Sequence, residues 1–535
     1  MPCVSSLRST LSRTLLGAVA GLLAGFTALA VAELLAGLVR PAAGPVTVVG
    51  GAVIDRTPAP LKDFAVRTFG ENDKAVLQLG ILVILALVAA VLGVVSLRFR
   101  AVGASGVLLF GVIGAVAALS RPDSKGAADV LPSLVGAVAG ALVLYAMAGR
   151  TVRVPASAGE LGVVHADDGD GGGWHRRGFF VAAGATAVAA ATAGLLGRHL
   201  VRRQGRGAVA SREALVLPAP ASPAPPVPGG VRLKVEGITP FITPNKDFYR
   251  VDTALVVPKV DADTWRLRIH GKGVARPRTF TLDDLLARPM IERDITLTCV
   301  SNEVGGPYAG NARWLGVRLG ELLGECGVKP PSGGGPADQL VARSVDGMTL
   351  GSPVEDVMDG RDAMLAVGMN GEALPFDHGF PVRMLVPGLY GYVSACKWIE
   401  DIELTTFDAY DPYWVRRTWA RRAPIKTQSR IDTPRPFARP AAGTVTVAGV
   451  AWAQHRGITR VQVRIDEGPW QDADLAAEDS VDTWRQWSYR WQAAPGGHTI
   501  AVRATDGTGL LQTERRARTI PDGASGWHSV FVTVT

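Results

Sequence analysis

The chain has 535 residues, a formal net charge of +8 and 47% hydrophobic residues, more than one ordinary domain holds, so two to four units are expected. The charge does not read as a nucleic-acid footprint, because its basic residues are scattered or flank apolar segments, as Arg98, Arg100, Arg202 and Arg203 do. Four cysteines, Cys3, Cys299, Cys326 and Cys396, form no CxxC-type metal spacing, and no CxxCH motif offers covalent haem attachment.

Residues 1–200 are rich in Ala, Leu, Val and Gly and read as a multi-pass α-helical membrane domain in contact with lipid. Apolar stretches near 14–39, 75–97, 101–120, 130–148 and 179–197 are each long enough to cross a bilayer as a helix. The first is not a cleavable leader in this reading, because further spans follow it. Arg8 and Arg13 precede span one, Arg98 and Arg100 join spans two and three, and Arg150, Arg153, Arg176 and Arg177 precede span five. Placing these segments in the cytoplasm puts the C-terminal portion outside the cell membrane. Arg40, Arg56, Lys62, Arg67 and Lys74, balanced by acids, and the basic run after span five oppose that bias. His175-Arg176-Arg177-Gly178-Phe179-Phe180 resembles an internal twin-arginine export signal, the alternative being an ordinary positive stop before a helix. Glu33 is the main ionisable residue within the spans, either a functional group or one that reaches the interface. No histidine lies in the first four spans and His199 ends the fifth, which argues against a b-type haem held there. The membrane half therefore reads as an anchor.

Residues 201–235 are expected to be a linker, with PAPASPAPPVPGG over 218–230 too proline-rich to pack. From 236 to 434 the pattern is α+β. Trp265 to Ile269 alternates as a strand, Thr281 is a candidate N-cap with Asp284 three residues on, and Arg293 to Leu297 alternates into Thr298-Cys299-Val300-Ser301-Asn302. Gly305, Gly306 and Gly310 predict a loop, and Trp314 to Leu323 a helix. From 435 to 535 short alternating segments at 444–447, 461–465, 487–491, 499–502 and 530–534, separated by turn residues, predict an Ig-like β-sandwich.

A lone cysteine on an apolar strand is ordinarily a small core residue. Here TLTCVSN, GNARWLGVRL and DHGFPVRMLVPGLYGYVSACKW follow in order before the sandwich. This succession, over about 236–535, resembles the sulfite oxidase family of molybdopterin-dependent oxidoreductases, in a membrane-anchored bacterial form. The resemblance implies molybdenum and molybdopterin as cofactors, with Cys299 as the protein's thiolate on the metal. A soft thiolate suits a metal that is also held by pterin sulfur. It also implies cofactor contacts at Phe248, Tyr249, Ser301, Asn302, Asp346, Ser352, His378, Arg383 and Lys397, with Arg383 suited to a phosphate. Arg250 would meet an anionic substrate, and Tyr390 or Tyr392 would place a phenol over the metal, with Tyr390 carried as the catalytic candidate.

The departures bear on substrate. Glu303 and Val304 follow Asn302 where the family carries arginines, Arg250 comes one residue early with Val251 in its usual place, Thr253 stands for a histidine, and Pro521-Asp522-Gly523-Ala524 replaces an arginine-bearing turn. A one-residue shift turns a side chain to the other face of an extended segment. The expected activity is therefore oxygen-atom transfer on a small substrate, by sulfite-like oxidation or S-/N-oxide reduction. Electrons would pass to or from a separate cytochrome or quinone-linked protein. The family's use of the sandwich for dimerisation implies a homodimer. The alternative is a non-catalytic binding or interaction protein that keeps the fold.

Overall fold

The computed structural model describes residues 2–57, 61, 68–69, 73–151 and 176–535. Arg153, His175, Lys62 and Arg67, invoked above for topology and export, lie outside them. The chain divides into two compact units, Met1–Gly207 with Ala254–Val256, and Ala208–Thr253 with Val257–Thr535.

The first unit contains α1 (Pro2–Val39), α2 (Pro45–Arg56), α3 (Asp73–Ser96), α4 (Arg100–Ser120), α5 (Leu131–Thr151) and most of α6 (Arg176–Ala214). Among the described residues, 5 helices are long and apolar enough to cross a membrane: Arg13–Val39, Lys74–Ser96, Arg100–Ser120, Ala127–Gly149 and Gly178–Ala214. The additional helix α2 occupies what the sequence offered only as a loop. Small residues set the helix spacing. A Cβ on Gly21 would overlap the Ala89 carbonyl, and Cβ atoms on Gly136 and Gly140 would collide with α1 at Ala28, Ala32 and Ala24. Arg40 meets Asp123 at 2.8 Å and Asp129 at 2.5 Å, and Arg121 meets Asp123 at 2.6 Å, so the two buried carboxylates are paired.

In the second unit β1 (Arg266–Gly271), β2 (Arg278–Thr281) and α7 (Leu282–Leu286) lead into β3 (Ile291–Thr298) and β4 (Ala309–Arg318). Thr281 and Asp284 form a capping box at the start of α7. Then follow α8 (Leu319–Glu325), β5 (Gln339–Ser344), β6 (Thr349–Pro353), α9 (Val354–Met358), β7 (Met364–Met369), β8 (Glu372–Ala373), β9 (Arg383–Leu385), α10 (Gly391–Ser394) and β10 (Ile399–Thr405). One sheet runs β2-β1-β10-β5-β6, and the other β3-β4-β7-β8 with β9 on β7. The helix expected from Trp314 is instead strand up to Arg318, and the helix starts only at Leu319. Both faces of β4 are largely buried, so a continuous apolar run there mimics a helix.

β11 (Gln428–Thr433), β12 (Gly443–Trp452), β13 (Ile458–Ile465), β14 (Gln471–Asp472), β15 (Asp474–Leu475), β16 (Arg485–Ala493), β17 (Gly496–Asp506) and β18 (His528–Val534) follow. They form the sheets β11-β12-β16-β15 and β14-β13-β17-β18. Val447, Trp487, Val461, Ile500 and Val532 share the core between these sheets. The sandwich begins before residue 435, because β11 pairs with β12. The expected spacer is also corrected. α6 runs to Ala214, and the proline-rich segment lies along β3, where Ser222 bridges Ile291 and Val231 is buried in the core.

Candidate functional site

Cys299 follows the last residue of β3 and is 8% exposed. Its N–H donates to the Tyr308 carbonyl (2.9 Å), its sulfur accepts from the Ser301 N–H (3.4 Å), and its carbonyl accepts from the Asn302 N–H (3.0 Å). The Asn302 side chain accepts from Tyr308 N–H (2.8 Å), closing the glycine-bearing loop between β3 and β4. Burial pushes the Cys299 thiol pKa up, while the Ser301 hydrogen bonds and the Lys397 charge pull it down.

Three cationic or potentially cationic side chains gather near this turn. Arg383 on β9 is buried, lies 5.4 Å over the Trp314 ring, and leaves its Nε without a partner. His378 is buried, shares Nε2 with the Asn245 carbonyl (3.1 Å), and leaves Nδ1 without a partner. Lys397 donates to Asp252 (3.1 Å) and to the Asp377 carbonyl (2.8 Å). Desolvation is the leading cause at each, depressing Arg383 to about 10, His378 to about 4 and Lys397 to about 8. Mutual repulsion adds at His378 and Lys397, while at Arg383 the neighbouring Tyr249, Cys396 and Asp252 oppose the shift.

The Phe248-Tyr249-Arg250 segment crosses the same region. Phe248 stacks on Tyr249 (5.2 Å) and meets Trp314 (5.9 Å) and His378 (5.4 Å) edge to face. A Cβ on Gly310 would stand 2.8 Å from the Phe248 ring, so glycine makes room for it. Tyr249 is raised by burial and then by the neighbouring Cys299. Arg250 is held by Asp252 (3.1 Å) and Asp377 (3.3 Å). Thr253 donates to Asp346 (3.2 Å), whose carboxyl is raised by burial.

Gly391 of α10 lies against the Thr298 carbonyl, which brings Tyr390 close to Cys299. The Tyr390 hydroxyl accepts from Lys426 N–H (3.4 Å), and a Cβ on Gly523 would stand 2.6 Å from it. Burial raises Tyr390, and Asp522 and Cys299 add to the rise. Tyr392 instead donates to the Ala420 carbonyl (2.7 Å). This separates the two phenols. Lys426 is neutralised by Asp522 (2.8 Å).

Ser352 is fully buried, and its hydroxyl donates to the Val393 carbonyl. Asn302 spends its carbonyl on the loop. Sequence reasoning missed Asp252, Asn245 and Lys426, and carried Asp377 and Asp522 only inside longer motifs without a role; the cue for Asp252 was its place two residues after Arg250.

Buried donors with orphaned nitrogens next to a thiolate-capable sulfur fit a large anionic group and a soft metal. Among the described residues no group of three or more His, Cys, Asp or Glu could hold a metal ion. Residues 254–414 match the family model described as the oxidoreductase molybdopterin binding domain. A domain of this kind implies molybdenum with molybdopterin as the cofactor held at these residues.

The chain is similar to mitochondrial sulfite oxidase of Mus musculus, 30% identical over 342 residues that cover 55% of this chain and 62% of the relative. It is also similar to an NADH nitrate reductase of Brassica napus, 35% identical over 343 residues, covering 53% of this chain and 36% of that one. The chain thus spans less than two thirds of the length of the relatives it matches. The crystal structure of the sulfane dehydrogenase SoxCD from Paracoccus pantotrophus overlaps 56% of this chain and 84% of its own at 25% identity, with a TM-score of 0.48.

Proposed function

We propose that this is a membrane-anchored oxidoreductase of the sulfite oxidase kind, in a bacterial form. It would transfer an oxygen atom to or from a small substrate outside the cytoplasmic membrane. The observation that carries the reading is the buried group of His378, Arg383 and Lys397 beside Cys299, with the unpartnered His378 Nδ1 and Arg383 Nε. Cys299 supplies the metal's protein ligand, and Arg383, His378 and Lys397 bind the pterin's phosphate and polar rings. The bound cofactor supplies a two-electron redox centre able to accept or release an oxygen atom. Phe248 and Tyr249 wall the site and exclude water. Tyr390, kept protonated by burial, would supply a proton close to Cys299.

Substrate charge follows from the neutralised cations. Arg250 and Lys397 share Asp252, Asp377 also meets Arg250, and Lys426 pairs with Asp522, so each of these cations is met by a carboxylate and a dianion gains little from them. A neutral or weakly charged substrate, such as an S- or N-oxide, suits it better than sulfite. Electrons pass to or from a separate cytochrome or quinone-linked protein. The five apolar helices support anchoring by multiple spans. We assign the sandwich an Ig-like role in forming a homodimer.

The test is to prepare the full chain in a pterin-competent host, quantify molybdenum, and assay sulfite oxidation beside S- and N-oxide reduction. Molybdenum near one per chain with turnover of an oxide supports the reading. A metal-free protein with no turnover in either direction would leave a non-catalytic binding protein.

A further inference from the structure

We propose that Gln454, on the β-sandwich, is a positioning residue that holds the strand presenting Cys299. The inference rests on the reading of Cys299 as the metal ligand. β3 is an edge strand, paired on one side with β4. Its outward N–H and C=O groups therefore need partners from elsewhere.

At the N-terminal end those partners come from the proline-rich segment: Ser222 N–H donates to Met290 (3.1 Å), and Glu292 N–H donates to Ser222 (2.9 Å). At the end next to Cys299 they come from the sandwich. Thr296 N–H donates to the Asp482 carbonyl (2.9 Å). Gln454 Nε2 donates to the Thr296 carbonyl (2.8 Å) and to Thr298 Oγ1 (3.2 Å). Trp484 N–H donates to Thr296 Oγ1 (2.8 Å), which itself donates to Asn311 (3.0 Å).

Gln454 is 1% exposed, so water does not replace its donors when they are lost. The amide thus fixes the backbone at Thr296, three residues before the sulfur, and the side chain of Thr298, which directly precedes Cys299. A metal–ligand distance tolerates only about 0.2 Å of error, which a fraying edge strand would exceed. The sandwich acts on the site through this strand without touching the cofactor.

The test uses the detergent-solubilised, cofactor-free full chain and measures alkylation of each cysteine by peptide mass spectrometry. Gln454→Met keeps size and burial but removes both hydrogen bonds; Thr298→Val removes one acceptor and serves alone if the first variant fails to fold. Cys299 is expected to react at least about fivefold faster in Gln454→Met and by a smaller factor in Thr298→Val, with Cys326 and Cys396 unchanged. In the cofactor-loaded variants kcat falls while KM stays. Unchanged Cys299 reactivity in a folded variant, or equal acceleration of all three buried cysteines, overturns the proposal. A wild type without turnover whose variants still expose Cys299 selectively would sink the catalytic reading and leave the clamp standing.

Discussion

Lys397 and Asp252 form a buried ion pair: Nζ lies 3.1 Å from Oδ2, with side chains only 8% and 5% exposed. The carboxylate also receives Arg250, so one anion sets two cations of the site. Asp252→Asn is expected to cost about 3 kcal/mol of stability, since it leaves a buried ammonium unpaired. Asp252→Asn with Lys397→Met should cost less than Asp252→Asn alone. Urea unfolding of wild type, single variants and the double variant measures the coupling.

His378 gives the cofactor-free protein a pH dependence. Its folded pKa near 4 lies below the ordinary value of 6.5, so the unfolded chain binds the proton first. Stability is complete above pH 6.5 and falls as pH drops toward 4, by up to about 3 kcal/mol from this group. His528, also depressed to about 4 by burial, adds a similar slope. His378→Gln should remove one proton's share of the slope between pH 7 and pH 4.5 and leave the share of His528.

Gly310→Ala tests the wall of the site. The added methyl meets the Phe248 ring at 2.8 Å and pushes it into Tyr249 and His378. A loss of about 1–3 kcal/mol in stability is expected, with lower molybdenum content. Thermal unfolding and metal analysis on the same preparation check both.

The two tyrosines should differ in kinetics. Tyr390→Phe is expected to lower kcat at least about tenfold with molybdenum content unchanged, as a lost proton donor does. Tyr392→Phe loses a bond to Ala420 and should stay within about twofold of wild type. Steady-state kinetics on the turned-over substrate separates them.

The cofactor-facing residues were legible because they stand in contiguous motifs: Cys299 ends one strand, and His378, Arg383 and Lys397 fall within twenty-odd residues of each other. Their partners were not. Asp252 reaches Lys397 across 145 positions, and a pairing at that range leaves no periodic trace in sequence. The bonds that the Ser352 hydroxyl and the Asn302 side-chain oxygen make inside the fold left no trace either, because a hydroxyl or amide near a motif gives no sign of its partner. The β4 strand read as helix because burial on both faces erases the period-two signal. The proline-rich segment read as a spacer because its composition gives no hint that an edge strand would accept it.

The central claim, that Cys299 is the metal's protein ligand, is tested most directly by molybdenum X-ray absorption of the cofactor-loaded wild type and Cys299→Ser. The expected result is one fewer sulfur neighbour at molybdenum in the variant, with turnover lost and the pterin still bound. An unchanged sulfur shell with unchanged turnover would contradict the claim.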